Sequence, residues 1–322
     1  MGQIFAAGHC NWDVTLLVAS LPAPDGEARI TGLHRSGGGS AANVASALAG
    51  YDLDAGLIGS VGDDDQGRMV KRELEETGVD VAGVLTVPGG ETTVKYLVVD
   101  ADGEVMVLAN EGVNEAIGPD DLDPDHLAGA DHVHLTGQRP ETADRLIDLA
   151  REGDLTVSFD PGRRIEERAF EPLLDRVDVL LLNELEAEAV FDGSRGERIE
   201  RAAGEDRVIV VKRGSDGASA YTAAGTVHHP GFAVEAVDTT GAGDAFAAGF
   251  LAATVGGRDF GPETGSGAGT GTDHVLVGDQ VDVERVLAVT NASGALTVTE
   301  PGARTTPTAA ELAAFLAERT GE

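Results

Sequence analysis

Small residues followed by a helix-like segment form the part of this sequence best suited to chemistry. Residues 238–250 read Asp-Thr-Thr-Gly-Ala-Gly-Asp-Ala-Phe-Ala-Ala-Gly-Phe. Backbone N–H groups at a helix start, unobstructed by side chains, form a site for an anion, and the helix dipole adds partial positive charge. Asp244 would lie in the first helical turn. It can interact with the dipole alone or, beside a bound phosphate, take the proton of an attacking hydroxyl.

Two further segments place polar side chains beside glycines. Residues 37–39 are all glycine and precede a small-residue helix that contains Asn43, so a ligand can approach the backbone closely there. Asn11 and Asp13 come just after the first apolar strand, where ligands bind in open parallel sheets. Asp13 can accept two hydrogen bonds from vicinal hydroxyls. Helix packing, capping and turn formation would explain the same residues without a ligand.

Several well-known catalytic motifs are absent from the sequence. It has no Walker A motif, no G-x-G-x-x-G opening a first strand–helix unit, no H-E-x-x-H and no G-x-S-x-G. A P-loop NTPase and a typical dinucleotide-dependent dehydrogenase are therefore excluded. The single cysteine, Cys10, excludes an intramolecular disulfide framework and a cysteine-clustered metal site.

Alternating strands and helices must position these residues. Apolar runs predict strands at 3–8, 57–61, 132–135, 156–159, 177–182 and 207–211, and periodicity predicts helices at 40–49, 66–77, 141–151, 168–174 and 184–191. This order predicts an α/β fold whose mostly parallel sheet carries helices on both faces. Alternating segments near 14–35 and 91–112, the second with an Asp-Gly turn at 102–103, predict a small β-sheet lid. We expect residues 1–322 to form one domain, with a surface loop at 261–274.

The net charge of the chain restricts the classes of partner it can bind and indicates the salt concentration in which it works. Asp and Glu number 56 against 23 Lys and Arg, a net charge of −33, and the only lysines are Lys71, Lys95 and Lys212. Such a surface argues against a nucleic-acid partner and an anionic membrane. No transmembrane run or signal peptide is evident, which predicts a cytoplasmic protein. The composition resembles proteins of salt-accumulating archaea, where self-repulsion is screened over ~3 Å in 1 M salt.

The candidate segments, in this order, resemble the ribokinase-like (PfkB) family of carbohydrate and nucleoside kinases. Residues 37–49 are similar to the family's N-terminal Gly-Gly signature, and 238–250 to its D-T-x-G-A-G-D signature. Between them, residues 61–67 resemble its V-G-D-D-x-x-G segment, residues 183–186 its N-x-x-E motif and residues 212–217 its nucleotide-site turn. The resemblance covers nearly the whole chain. It implies a three-layer α/β/α fold with a lid and the ATP-dependent phosphorylation of a sugar hydroxymethyl group.

The resemblance also implies a role for each matched residue. Asp244 would be the catalytic base, and the N–H groups of Gly241, Ala242 and Gly243 would stabilise the transferred phosphoryl group. The residues implied to hold the sugar are Asn11, Asp13, Gly38, Gly39 and Asn43. The residues implied to hold the nucleotide are Asn183, Lys212, Gly214, Gly217 and Asn291.

Two cations follow from the same resemblance. Asn183 and Glu186 would hold the water shell of Mg²⁺ bound to ATP, although acids also favour a helix N-terminus by themselves. Asp238, Thr240 and Gly302 match positions of a loop that binds a monovalent cation, which implies K⁺.

The substrate stays open at this point, and two alternatives accompany the sugar kinase. Residues 160–164 read Asp-Pro-Gly-Arg-Arg, with Gly162 where many sugar kinases have Asn, a form closer to archaeal nucleoside kinases. A nucleoside kinase would use Trp12 as a platform for the base, and a non-catalytic sensor would not need Asp244. Arg35, Arg163 and Arg164 can bind a phosphate on a sugar phosphate or pair with nearby carboxylates.

The lid strands also predict an assembly. Val94, Tyr96, Val98, Val105 and Val107 occupy alternating positions and are more apolar than one thin sheet requires. We expect the lids of two subunits to pack together in a homodimer, as in several members of the family.

Overall fold

A computed structural model describes residues 2–102, 104–165, 167–191, 197–204, 207–258, 260, 282–300, 302 and 307–320. The surface loop expected at 261–274 lies outside these residues. The strands, in chain order, are β1 Ile4–Ala7, β2 Asn11–Val18, β3 Ile30–Gly38, β4 Ala55–Gly62, β5 Val84–Val87, β6 Val94–Val99, β7 Val105–Ala109, β8 His132–Thr136, β9 Thr156–Asp160, β10 Val179–Asn183, β11 Val208–Lys212, β12 Ala218–Thr222 and β13 Gly225–His229.

The α-helices alternate with the strands of the larger sheet over most of the chain. In chain order they are α1 Ser40–Gly50, α2 Asp65–Glu76, α3 Pro140–Glu152, α4 Glu171–Leu174, α5 Glu184–Phe191, α6 Glu197–Ala202, α7 Ala242–Thr254, α8 Val283–Thr297 and α9 Ala309–Thr320. The helix expected at 168–174 begins only at Glu171. Pro172 explains this start, because proline has no N–H to donate and is favoured in the first helical turn.

Nine strands form the larger sheet in the order β13-β12-β11-β10-β9-β8-β1-β4-β5. The strands from β11 to β5 are parallel, as the alternation predicts, and the hairpin of β12 and β13 adds two antiparallel strands. This hairpin was not predicted from the sequence, because its connection at residues 223–224 lacks the Asn-Gly or Asp-Gly turn signal. Two apolar clusters, one on each face of the sheet, bury its strands between helices.

The smaller sheet has the order β3-β2-β6-β7 and forms the lid. It starts at Asn11, a few residues before the expected bound near 14, so Asn11 and Asp13, which follow the first strand as predicted, belong to the lid itself. Strand β2 pairs antiparallel with β3 and parallel with β6, which pairs antiparallel with β7. This register places Asp13 opposite Ser36 and Lys95. It also pairs Asn11 with Gly38 and Trp12 with Gly37, so the glycines at the end of β3 lie beside the start of β2.

The register corrects the expected apolar face of the lid. Tyr96 is paired with Leu108 and Val98 with Met106, whereas Val105 and Val107 are paired with Val99 and Leu97. Directly paired residues share a face, so Val105 and Val107 lie on the face opposite Tyr96 and Val98. The alternation of residues within a strand shows which residues share a face of that strand, but not which faces of two strands lie on the same side of the sheet. Leu33, Tyr96, Met106 and Leu108 share one face and are exposed, and we call this set the apolar lid face.

Candidate active site

The lid and the loop after it meet the carboxyl ends of the parallel strands. Asn11 and Asp13 are buried at the start of β2, and the Asn11 amide Nδ2 donates a hydrogen bond to Asp13 Oδ1. A Cβ at Gly38 would lie 2.1 Å from Asp13 Oδ2, and one at Gly39 would lie 2.4 Å from the carbonyl oxygen of His9. Both positions need glycine because the backbone of β3 approaches these groups so closely. The predicted sugar-binding residues of β2 and β3 therefore lie together.

Asn43 joins this group to the predicted base. It lies in the first turn of α1, and its Nδ2 donates a 2.8 Å hydrogen bond to Asp244 Oδ2 in the first turn of α7. Burial raises the pKa of Asp244 to about 6; the Asn43 hydrogen bond opposes this shift, and the charge of Asp160 adds to it. A carboxylate with a pKa close to neutral can take a proton efficiently from a positioned hydroxyl.

Helix α7 starts as the glycine-rich turn predicts. Gly241 precedes the helix with φ +79°, a left-handed conformation that favours glycine. Ala242 and Gly243 follow as the first helical residues, where N–H groups have no intrahelical acceptor, and the Ala242 N–H donates to the Thr239 carbonyl at 3.3 Å. A Cβ on Gly243 would lie 3.8 Å from Lys212 Nζ. The lysine ammonium thus faces the same turn as the backbone N–H groups.

Lys212 is held by a carboxylate that the sequence analysis missed. Its Nζ lies 2.5 Å from Asp160 Oδ2, and both side chains are largely buried. Burial alone lowers the pKa of Lys212, but the charges of Asp160, Glu186 and Asp244 raise it above its usual range. Lys212 therefore stays positively charged. Asp160 ends β9 and Lys212 ends β11. Because both residues lie at the carboxyl ends of parallel strands, their proximity could have been predicted from the sequence.

Asn183 and Glu186 form a reciprocal pair at the start of α5. The Asn183 N–H donates to Glu186 Oε2 at 2.8 Å, and the Glu186 N–H donates to Asn183 Oδ1 at 2.9 Å. This is a helix-capping arrangement, and it also fixes both side chains at the end of β10. Glu186 is buried and its charge acts on Lys212. The N-x-x-E motif thus stabilises the start of the helix, independently of any role of the Glu186 carboxylate in binding Mg²⁺.

The remaining nucleotide-site residues lie on two elements. Gly214 and Gly217 have φ +57° and +80° in the turn between β11 and β12, and a Cβ on Gly217 would lie 2.0 Å from the His229 carbonyl oxygen. Asn291 is buried in α8, where its Nδ2 donates to the Leu287 carbonyl at 2.7 Å. This hydrogen bond joins two residues of α8.

The three residues of the predicted cation loop come together. Asp238 Oδ1 accepts from the Thr240 N–H at 2.8 Å, and Oδ2 accepts from the Gly302 N–H at 3.0 Å. Asp238 therefore links the turn before α7 to the segment after α8. In the described residues no group of three or more His, Cys, Asp and Glu side chains could hold a metal ion.

Several buried polar atoms around the lid have no hydrogen-bond partner in the described part of the chain. They are Asn11 Oδ1, Asn43 Oδ1, Asn114 Oδ1 and the amide Nε2 and Oε1 of Gln138. Such atoms are costly when left unpaired, and a ligand rich in hydroxyls would satisfy them. Asn114 and Gln138 were missed by the sequence analysis. Gln138 comes two residues after β8 and could have been found as a polar residue at a parallel-strand end.

Trp12 cannot form the predicted base platform. Its side chain is 5% exposed and belongs to the apolar core, because alternation along β2 turns it away from Asn11 and Asp13. Arg35 is paired with Val14, two residues from Trp12, so it shares the Trp12 face and not the Asp13 face.

Comparison with known proteins connects this geometry to an enzyme class. The chain is 51% identical over 321 residues to a Halopiger xanaduensis protein named ATP-dependent ribose-1-phosphate kinase, covering 99% of each. A putative ribokinase II of E. coli, solved with ATP and Mg²⁺, matches 99% of this chain and 100% of its own with a TM-score of 0.81 and 24% identity. A nucleoside kinase of Methanocaldococcus jannaschii matches 99% of each chain with a TM-score of 0.78 and 23% identity.

These findings confirm the predicted fold and the predicted class of enzyme, a phosphotransferase with an alcohol acceptor. A family model described as pfkB family carbohydrate kinase matches residues 1–310. The chain belongs to the pfkB family of carbohydrate kinases.

Proposed function

We propose that this enzyme transfers the terminal phosphoryl group of ATP to the primary hydroxyl of ribose 1-phosphate. The observation that carries the proposal is the 51% identity, over 99% of both chains, to a relative named for that reaction. Ribose 1-phosphate has one hydroxymethyl group, at C5, and a primary hydroxyl is the least hindered acceptor to place beside Asp244. The product would be ribose 1,5-bisphosphate. We further propose that residues 1–322 act as a single kinase unit in the cytoplasm, where ATP is available.

Asp244 would take the proton of the C5 hydroxyl as its oxygen attacks phosphorus. Hydrogen bonds from Asn43 Nδ2 and from the Ser40 side chain hold this carboxylate in place. The N–H groups of Gly241, Ala242 and Gly243, with Lys212 beside them, would stabilise negative charge on the transferred phosphoryl group. Such positioned donors are typically worth about 2.7–4 kcal/mol each.

The sugar hydroxyls would pair with the buried polar atoms below the lid. Asp13 accepts hydrogen bonds from vicinal hydroxyls, and the partnerless oxygens of Asn11 and Asn43 accept further ones. A deoxy analogue would leave one of these groups unpaired, so we expect it to be a poor substrate. Asn114 and Gln138, which are also buried and carry polar atoms unpaired among the described residues, would complete the polar site.

Mg²⁺ would enter with ATP. A carboxylate oxygen is a ligand type that Mg²⁺ prefers, and Glu186 supplies one near Lys212, so the residues present suit an ion held by nucleotide and water. Bound Mg²⁺ would neutralise charge on the phosphates. Asn183, Gly214, Gly217 and Asn291 would line the nucleotide. Asp238, Thr240 and Gly302 would place a K⁺ beside the turn that precedes α7.

The lid would also join two subunits. Leu33, Tyr96, Met106 and Leu108 of the apolar lid face are 43%, 43%, 39% and 56% exposed, a continuous patch that a second lid can cover. We therefore propose a homodimer formed through this face. Light scattering in molar KCl should give twice the chain mass for the wild type and the chain mass for Leu108→Lys. A wild type that stays monomeric in molar KCl would contradict the proposed dimer.

An assay of ADP release in molar KCl tests the reaction. The acceptors are ribose 1-phosphate, ribose, fructose and a set of nucleosides, with kcat/KM compared among them. Ribose 1-phosphate should have the highest value. Preference for a nucleoside would instead support the second candidate, which is disfavoured because Trp12 is buried in the core and lies on the face of β2 opposite Asp13.

A further inference from the structure

Three basic side chains contact the carboxylate of Glu115, and a fourth contacts its backbone carbonyl. Glu115 Oε1 lies 2.6 Å from Arg168 Nη2, 3.0 Å from His9 Nε2 and 3.4 Å from Arg164 Nη1. Arg139 Nη2 donates to the backbone carbonyl of Glu115 at 2.5 Å. We call His9, Arg139, Arg164 and Arg168 the basic cluster. Its members come from four separate positions in the sequence and meet only in the folded chain.

The basic cluster has more positive charge than its local carboxylates balance. The hydrogen bond with His9, together with the charge of Arg168, lowers the pKa of Glu115 to about 2, so Glu115 is one fixed negative charge. The guanidinium groups of Arg164 and Arg168 contact this carboxylate, while that of Arg139 contacts the Glu115 backbone carbonyl and lies 3.7 Å from the more exposed Glu141. Arg176, in contrast, lies between two carboxylates of its own, Asp144 and Asp148. On a chain with a net charge of −33, such an excess of arginine marks a place for an anion.

Unused donors are present in the basic cluster. The Arg139 Nε is buried and has no hydrogen-bond partner among the described residues. The Arg164 and Arg139 side chains are 57% and 41% exposed, so their guanidinium groups are open to a ligand. Guanidinium groups bind phosphate oxygens through paired, charge-assisted hydrogen bonds.

The position of the basic cluster separates it from the nucleotide residues. His9 follows β1, Arg139 follows β8, and Arg164 and Arg168 follow β9, whereas Asn183 ends β10 and Lys212 ends β11. In the sheet β1, β8 and β9 are neighbours on the lid side, and β10 and β11 lie beyond them. The partnerless Asn114 and Gln138 are the chain neighbours of Glu115 and Arg139. An anion held here belongs to the acceptor side of the site.

We propose that the basic cluster binds the phosphate group already present on the sugar substrate. This inference rests on the proposed function and names the residues that would make a sugar phosphate the preferred acceptor. In ribose 1-phosphate the C1 phosphate and the C5 hydroxymethyl group project from opposite sides of the ring oxygen. A ring seated on Asp13 and Asn43 can therefore point its hydroxyl at Asp244 and its phosphate at Arg139 and Arg164.

Steady-state kinetics of Arg139→Gln, Arg164→Gln and the double variant test this assignment in molar KCl. Each single variant should raise KM for ribose 1-phosphate about 10- to 100-fold, as expected for a lost charge-assisted hydrogen bond, and leave KM for ATP within twofold. Arg72→Gln is the matched control, because Arg72 is exposed on α2 and pairs only at 3.5 Å with Glu76. The control should change neither constant, and circular dichroism should show wild-type melting for all variants.

The outcomes separate the two levels of the proposal. If the wild type phosphorylates ribose 1-phosphate and the double variant keeps its KM, the inference is wrong and the proposed function stands. A rise in KM for ATP alone would assign the basic cluster to the nucleotide phosphates and overturn the inference. A wild type that phosphorylates ribose or fructose and not ribose 1-phosphate would overturn both.

Discussion

Asp244 is the residue on which the proposed chemistry depends most. It lies in the first turn of α7, bonded to Asn43 and close to Asp160 and Lys212. We expect Asp244→Asn to lower kcat at least ~10²-fold, because the acceptor hydroxyl loses its base. KM for ATP should not change, since the proposed nucleotide residues lie on β10, β11, the turn after β11 and α8, outside the first turn of α7. Kinetics of this variant beside Asp120→Asn, an exposed control, check the prediction, and a near-wild-type kcat would remove Asp244 from the mechanism.

The same substitution should not destabilise the fold. The pKa of Asp244 is raised to about 6 in the folded chain, mainly by burial, and is near 3.8 as the ordinary value. Its ionisation therefore costs no stability well below pH 3.8; the cost grows between pH 3.8 and about 6 and has its full value above that pH. At pH 7.5 the asparagine removes this cost, so its melting temperature should equal or exceed that of the wild type.

A raised pKa also sets the pH dependence of the reaction. Asp244 must be ionised to take a proton, so kcat/KM should fall as the pH drops through about 6, with a slope of one. The profile should be measured from pH 4.5 to 8 at constant KCl, with a melting curve at each end to confirm the fold. Activity that stays constant down to pH 5 would contradict the assignment of the base.

At the level of elements, the contact between β2 and β3 shapes the proposed sugar site. A Cβ at Gly38 would lie 2.1 Å from Asp13 Oδ2, so Gly38→Ala must displace that carboxylate. Displacement of a positioning group by about 1 Å can cost ~10²-fold in rate, and we expect kcat/KM for the sugar to fall by about that factor. KM for ATP should remain unchanged.

Gly204→Ala is the matched control for this substitution. A Cβ there would meet no atom within 4 Å, so it tests the effect of replacing a glycine without crowding a neighbour. The control should keep wild-type kinetics. If Gly38→Ala behaved in the same way, Asp13 would not be a sugar-binding residue.

The whole molecule should depend on salt. Its 56 acidic residues face only 23 basic ones, and the screening length grows from ~3 Å in 1 M salt to ~30 Å at 0.01 M. Repulsion between carboxylates should therefore loosen the fold on dilution, and the melting temperature should rise steadily from low to molar KCl.

Parallel melts in NaCl separate screening from specific binding of K⁺. Screening predicts the same rise in both salts, whereas activity supported by KCl and not by NaCl would indicate an ion at Asp238, Thr240 and Gly302. A melting temperature that does not change between low and molar salt would contradict the predicted salt dependence.

The sequence by itself determined the features that depend on neighbours along the chain. Apolar runs alternating with helical periodicity predicted the parallel sheet, and the small residues before α7 predicted the helix start at which Asp244 lies. The motifs that flank these elements were sufficient to identify the family, because each motif is a short continuous segment that can be recognised without the tertiary structure.

Only the tertiary structure decided which distant side chains meet. A parallel sheet gathers the ends of its strands at one edge, and so brings together residues that are distant in the sequence. Examples are the pair of Asp160 and Lys212, the buried Asn114 and Gln138, and the basic cluster around Glu115. The strand register decided the rest, since it turns Trp12 into the core and puts Val105 and Val107 on the face opposite Tyr96. Alternation gives the period of a strand, but only hydrogen bonding between strands sets which faces coincide.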